Sequence, residues 1–103
     1  YVGGAYYNRG VLTAAIIAEG LRLAIQNDGL PLTGEKVRRG YEAIRKLDLQ
    51  GLGPPLDITA QDHEGGGYLR IYQVKGNAWV PLTDWVRAYH DEVMALAKKA
   101  NTK

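Results

Sequence analysis

The first strong pattern in the sequence is a long apolar stretch that predicts a helix over Arg9–Gln26. Apolar residues cover nearly the whole circumference of this helix, and Glu19, Arg22 and Gln26 form a narrow polar stripe. Asn27-Asp28-Gly29 is a typical stop signal after such a segment. A helix this apolar has to be covered on most of its sides, so the sequence predicts that it is buried.

A second helix is predicted over residues 34–47, with Thr33 as its N-cap. Lys36 stands where a capping box needs Glu or Gln, so the box is incomplete. The apolar positions form one stripe at Val37, Tyr41, Ile44 and Leu47. Most of the charged residues in this segment fall on the other side, which is the pattern of a surface helix.

The second half of the chain predicts short strands joined by glycine-rich turns. Glycine and proline interrupt regular structure over Leu49–Pro55. Strands are predicted at residues 56–59, 68–74 and 78–82. Gly76-Asn77 between the last two strands is a hairpin signal. Thr83 is predicted to cap a final helix that begins at Asp84.

The predicted order is helix, helix, short strand, hairpin, helix, which is an α/β arrangement. Three short strands leave much of the first helix uncovered and leave their own edges unpaired. The chain also begins with Tyr1, so we expect a mature form, a trimmed form or a fragment. We therefore expect it to associate with the remainder of a parent chain, or with copies of itself in an exchanged arrangement.

Composition narrows the possible chemistry. The 103 residues carry a formal net charge of +2 and 46% hydrophobic residues, which is typical of a single globular domain. The sequence has no Cys, which excludes disulfides and thiolate metal sites, and no Ser, which excludes a serine nucleophile. Basic and acidic residues are interspersed, so there is no electrostatic footprint for nucleic acid.

One dense group of acid–base residues stands out, at Asp57, Asp62, His63 and Glu64. It allows two interpretations, a metal or proton-transfer site and a solvated turn before the glycines at 65–67. The spacing fits neither a zinc-protease helix motif nor a calcium loop, so we favour the turn and expect no metal. The glycine runs likewise lack the context of a phosphate-binding or dinucleotide-binding loop.

Tyr6, Tyr7 and Asn8 come directly before the first predicted helix. Residues 1–8 are expected to form an extended or loop segment, with Asn8 as the N-cap of the helix. Aromatic rings with polar tips at the end of an element often line a pocket, so these three residues are our candidate ligand-binding set. The alternative is that both rings pack beneath a loop.

Several stretches carry a resemblance to a known family. They are Tyr7–Leu21, Leu32–Ile44, Gly51-Leu-Gly-Pro-Pro-Leu-Asp-Ile-Thr, the run from Asp62-His63-Glu64 to Tyr72-Gln73-Val74, and Trp79–Trp85. In this order they resemble the C-terminal third of a branched-chain-amino-acid-type solute-binding protein of an ABC importer. The resemblance covers nearly the whole chain.

This resemblance implies a C-terminal fragment of a two-lobed type I periplasmic-binding fold. Residues 1–50 would be the last helices of the first lobe, 51–59 the interlobe crossing, and 60–103 the hairpin and terminal helix of the second lobe. In relatives, an aromatic residue just before the equivalent first helix forms part of the ligand cleft. Tyr6 matches that position, with Tyr7 as the near alternative.

The implied function is capture of a small solute, an amino acid or another small carboxylate, between two lobes. The implied partners are that solute and an ABC permease in the membrane, with no nucleic acid and no cofactor, and the implied location is periplasmic or extracytoplasmic. The alternative is a ligand-sensing regulatory domain of the same fold with no transport role. Nothing in the residues indicates an enzyme.

Overall fold

The computed structural model describes residues 3–102, and the first two predicted loop residues lie outside this range. The chain forms two compact units, Tyr1–Gly66 and Gly67–Lys103. The helices are α1 Ala5–Asp28, α2 Gly34–Glu42 and α3 His90–Asn101. The strands are β1 Tyr68–Leu69, β2 Tyr72–Lys75, β3 Ala78–Pro81 and β4 Val86–Arg87. The described residues therefore form a mixed α/β structure with three helices and two small antiparallel sheets.

Helix α1 begins one turn earlier than the sequence predicts. Gly4 is extended and serves as the N-cap without a side-chain hydrogen bond, and the backbone N–H of Asn8 already donates to Gly4 O. The prediction that Asn8 caps the helix, and that Tyr6 and Tyr7 lie in a loop, is therefore wrong. At the other end Gly29 has φ +68° and donates to Ile25 O, which is the stop that the sequence predicts.

Helix α2 has the predicted N-cap but ends earlier than expected. Thr33 Oγ1 accepts a hydrogen bond from Lys36 N at 3.3 Å. The helix ends at Glu42, because the next residues form backbone hydrogen bonds with the returning chain: Ile58 N donates to Ile44 O at 3.0 Å. Leu47 and Leu56 then form an isolated antiparallel bridge. Tertiary pairing thus overrides the helical pattern of residues 43–47.

Helices α1 and α2 cross at very close range. A Cβ added to Gly40 would lie 2.2 Å from Gly20 O and 2.8 Å from Ala24 Cβ. A Cβ on Gly20 would lie 2.7 Å from the ring of Tyr41. All three small residues of this contact, Gly20, Ala24 and Gly40, are buried. The two helices can approach this closely only because these positions carry a hydrogen or a methyl group.

Polar contacts fix the turn that joins the two helices. The Lys36 ammonium donates to Gly29 O at 3.0 Å and to Pro31 O at 2.9 Å. Arg39 Nε lies 3.1 Å from Asp28 Oδ2 at the end of α1. A cation beside the last carbonyls of α1 also complements the negative end of the helix dipole.

The buried core of the first unit lies where the chain after α2 folds back. Its cluster consists of Ile44, Leu49, Leu56 and Ile58. Partly buried side chains pack against this cluster: Leu12, Ile16, Leu23, Tyr41 and Leu47. Ile44 of the predicted α2 stripe is therefore in the core and Leu47 packs against it, although neither residue lies in a helix. In contrast, α1 is covered on one side only, and Ile17 is 44% exposed.

The second unit contains the predicted hairpin. Strands β2 and β3 pair antiparallel from Tyr72↔Pro81 to Lys75↔Ala78, with Gly76 in the turn at φ +60°. The predicted strand over 68–74 is divided, because Tyr68 pairs with Arg87 and Leu69 with Val86 in a separate sheet. The Arg87 guanidinium also lies 5.0 Å from the centre of the Tyr68 ring.

The prediction of a last helix from Asp84 with Thr83 as its cap is wrong. Thr83 Oγ1 accepts a hydrogen bond from Ile71 N at 3.1 Å, so the hydroxyl is engaged with the segment between β1 and β2. Arg70 donates to Thr83 O and to the Asp84 carboxylate at 3.1 and 3.0 Å, and it lies over the Trp85 ring at 5.2 Å. These contacts hold residues 83–85 outside a helix, and α3 begins at His90.

We expect Gly40→Ala to lower the free energy of unfolding by about 1–3 kcal/mol, because the added methyl group forces the two helices apart. The matched control is Gly10→Ala, since a Cβ at this helical glycine meets nothing within 4 Å. The control should raise stability by up to about 1 kcal/mol through helix propensity. Urea unfolding followed by circular dichroism measures both, and equal effects of the two variants would contradict the close crossing.

Candidate functional site

The predicted ligand-binding residues lie on the first turn of α1. The side chain of Tyr6 is 88% exposed and that of Tyr7 is 49% exposed. Asn8 is half-buried, and its Nδ2 lies 3.5 Å from Gly3 O. The two pockets of the first unit described below are lined by other residues. Ligand binding by these three residues therefore stays a prediction.

A pocket of about 260 Å³ lies between the end of α2 and residues 58–63 of the first unit. We call it the Glu42–His63 pocket. Its lining residues are Arg38, Tyr41, Glu42, Ile58 and His63. Ile58 is fixed by its backbone hydrogen bond to Ile44 O, and Lys46 N donates to Asp57 Oδ1 at 3.0 Å. The same contacts that end α2 thus place the far wall of the pocket.

Glu42 is the centre of the polar contacts in this pocket. Its carboxylate accepts from Arg38 Nη1 at 2.7 and 2.8 Å, and its Oε1 lies 3.0 Å from His63 Nε2. Arg38 also pairs with Glu35. The Glu42 side chain is only 13% exposed, whereas that of His63 is 64% exposed. The result is a sheltered carboxylate that contacts the Arg38 guanidinium and the solvent-exposed imidazole of His63.

Hydrogen bonding lowers the pKa of two carboxyl groups at this pocket, those of Glu42 and Glu35. The contact with His63, and after it the contact with Arg38, holds the pKa of Glu42 below its usual value. Arg38 likewise lowers the pKa of Glu35. Both groups are therefore ionised at neutral pH. Such an array can hold a small molecule that presents hydrogen-bond donors to the carboxylate and an apolar part to Tyr41 and Ile58.

The acidic cluster singled out in the sequence builds a turn. Asp62 Oδ1 accepts from Glu64 N and Gly65 N at 3.0 and 2.9 Å. Gly65 has φ +59°, and a Cβ there would lie 2.2 Å from Asp57 O. Among residues 3–102, no group of three or more His, Asp or Glu side chains is arranged to hold a metal ion.

The sequence interpretation missed the partner of His63. It grouped His63 with its neighbours in the chain, whereas its contact is Glu42, 21 residues earlier. Glu42 follows Arg38 by four residues on α2, and that spacing predicts an ion pair. Nothing in the local pattern shows that the later loop folds back to the same carboxylate.

A second pocket of about 230 Å³ lies between α1 and the loop at residues 48–52. It is lined mainly by Val11, Ala15, Leu49 and Leu52, with Asp48 and Gln50 at the loop. Its walls offer little for acid–base chemistry.

Within the described part of the chain, no helix has the length and apolarity needed to cross a membrane.

A solved structure that matches the chain is described as the crystal structure of an ABC transporter permease from the Pseudomonas fluorescens group. The match has a TM-score of 0.68 and 33% sequence identity over 94% of this chain. This chain spans 27% of the length of that chain. No protein-family model and no curated protein matches the sequence.

This finding contradicts the expected solute-binding protein of an ABC importer, because the matching structure is described as a permease. The expected capture of an amino acid or other small carboxylate rested on that resemblance, so this expectation is contradicted as well. The motifs behind the resemblance have structural roles here: Asp62 caps backbone N–H groups, and Gly65 lies against Asp57 O. Residues that hold the backbone in place are evidence for a fold. A fold does not by itself establish a function.

We expect Glu42→Gln to destabilise the chain most at neutral pH. A carboxyl group with a lowered pKa in the folded state stabilises that state above the ordinary value of 4.5, and the contribution is lost as the pH falls through the lowered value. The difference in unfolding free energy between the wild type and Glu42→Gln should therefore shrink below pH 4.5.

His63→Ala should reproduce a part of the same pH dependence, since its contact is the largest cause of the lowered pKa of Glu42. Urea unfolding at a series of pH values measures both variants. A difference between wild type and Glu42→Gln that stays constant from neutral to acid pH would contradict the assigned contacts.

Proposed function

We propose that this chain is part of a component of an ABC transporter. The observation that supports the proposal is the match to the Pseudomonas permease structure, with 33% identity maintained over 94% of the chain. Because the chain spans 27% of that structure, it would supply one segment of a longer component.

Within such a component, we propose that the first unit acts as a folded support without catalytic chemistry of its own. Several of its charged side chains pair with one another, as in the Glu35–Arg38–Glu42 and Asp28–Arg39 contacts. The sequence contains no phosphate-binding loop. We therefore assign ATP hydrolysis to a part of the transporter outside these 103 residues. The extracytoplasmic location expected from the sequence stays a prediction.

The proposal is tested in a strain that encodes the chain. We expect deletion of the coding region to abolish ATP-dependent uptake of at least one solute in a panel of labelled nutrients. We also expect in-cell crosslinking of a tagged chain to capture an ATP-binding subunit of an ABC transporter. Unchanged uptake across the panel, together with no transporter subunit in the crosslinked fraction, would overturn the proposal.

A matched pair of variants separates loss of the folded segment from loss of the gene product. Gly40→Val should reproduce the uptake defect of the deletion, because the side chain cannot fit between α1 and α2. Gly34→Ala should retain uptake, because a Cβ at Gly34 meets nothing within 4 Å.

A further inference from the structure

One side of α1 carries a long apolar stripe without a charged residue. We define the α1 stripe as Tyr7, Ala14, Ile17, Ala18, Leu21 and Ile25. At 3.6 residues per turn these positions fall within about one third of the helix circumference and extend over about five turns. Tyr7, Ile17 and Ile25 are 49%, 44% and 44% exposed, and the two alanines are also exposed.

The contacts that α1 makes within the first unit use other residues. They are Gly20 and Ala24 at the crossing with α2, Leu12, Ile16 and Leu23 at the core cluster, and Val11 and Ala15 beside the loop at residues 48–52. The α1 stripe shares no residue with these contacts. Its apolar surface is therefore available to a further neighbour.

The second unit also leaves its apolar side chains uncovered. Trp79, Tyr89 and Leu96 are 73%, 76% and 67% exposed. Among residues 67–102 no residue is buried. Burial of apolar surface is the main favourable contribution to folding. A unit without a buried side chain therefore needs a surface from outside itself.

The distribution of these uncovered side chains favours a large neighbour over a second copy. A closed dimer joins one patch of each copy to the same patch of the other. Such a contact covers one patch per chain, whereas exposed apolar side chains occur on α1, on the β2–β3 hairpin and on α3. A larger body of polypeptide with several contact surfaces can cover all three elements.

The matching permease structure indicates what this larger body is. The two sequences share 33% identity over 94% of this chain with a TM-score of 0.68, so the segment has a similar fold in both proteins. The segment is 27% of the matching chain, so most of that chain lies outside it. A component of this kind thus contains a large amount of further polypeptide beside the segment.

We propose that the α1 stripe packs against the part of the transporter component that corresponds to the rest of the matching permease chain. This proposal rests on the proposed function, because it takes the chain to be one segment of such a component. The covering surface is apolar where it meets the stripe, since a charge buried there would have no partner. Ala14 and Ala18, at the centre of the stripe, leave room for a larger apolar side chain of the covering segment.

Photocrosslinking in a strain that encodes the chain identifies the covering segment. A benzoylphenylalanine residue replaces Ala18 in the stripe or, as the matched control, Gln26 on the polar side of α1. Mass spectrometry then identifies the crosslinked peptide. We expect the Ala18 probe to capture a peptide whose sequence aligns with the matching permease chain outside the matched segment. The Gln26 probe should capture no such peptide.

A pair of charge variants tests whether the captured contact is apolar. Ala14→Glu should lower the yield of the Ala18 crosslink at least about tenfold, because it buries an unpaired charge in the contact. Gln26→Glu adds the same charge on the polar side and should leave the yield unchanged. In the 103-residue chain alone, Ala14→Glu should leave the midpoint of urea unfolding unchanged, since Ala14 is exposed there.

Several results would overturn the proposal. A crosslinked peptide from within Tyr1–Lys103 would assign the stripe to a second copy or to the second unit of the same chain. A peptide that does not align with the permease chain would assign it to a different protein. The proposal also fails if the Ala18 probe forms no crosslink, if both charge variants lower the yield equally, or if Ala14→Glu destabilises the chain alone.

Uptake measurements decide the transport role separately. A peptide aligned with the permease chain, together with unchanged uptake after deletion of the coding region, would support the packing and remove only the transport role. Loss of uptake together with a crosslink inside Tyr1–Lys103 would keep the transport role and overturn the packing.

Discussion

The first unit depends on the close crossing of α1 and α2. Gly20, Ala24 and Gly40 let the two backbones approach until a single added Cβ would collide with a carbonyl oxygen. This contact fixes where α2 ends relative to α1. The chain that follows then has to fold back over Ile44, and its backbone hydrogen bonds stop the helix at Glu42. The core cluster and the Glu42–His63 pocket are both consequences of that return.

The Glu42–His63 pocket combines an ion pair on a helix with a histidine from a turn. Arg38 and Glu42 would pair on any helix with this spacing. The loop held by Asp62 and Gly65 adds His63 to the same carboxylate. The shelter of Glu42 and the exposure of His63 therefore come from different elements, one a helix and the other a turn. This division explains why the group looks unremarkable when each segment is considered alone.

The two units are stabilised by different kinds of contact. In the first unit, close helix packing at glycines and a folded-back segment create a small buried core. In the second unit, Arg70 organises the backbone instead, because it engages Thr83 O, the Asp84 carboxylate and the Trp85 ring. Much apolar surface of α1 and of the hairpin stays exposed.

The sequence by itself determined the features that depend on local spacing. It gave the existence of α1 and α2, the Thr33 cap, the hairpin turn at Gly76-Asn77 and the apolar character of Ile44 and Leu47. The tertiary structure alone decided where α2 ends, why residues 83–85 stay outside a helix, and that Glu42 meets His63. In each case a hydrogen bond to a residue far along the chain outweighs a local preference of less than about 1 kcal/mol per residue. Such long-range contacts leave no periodic trace in the sequence.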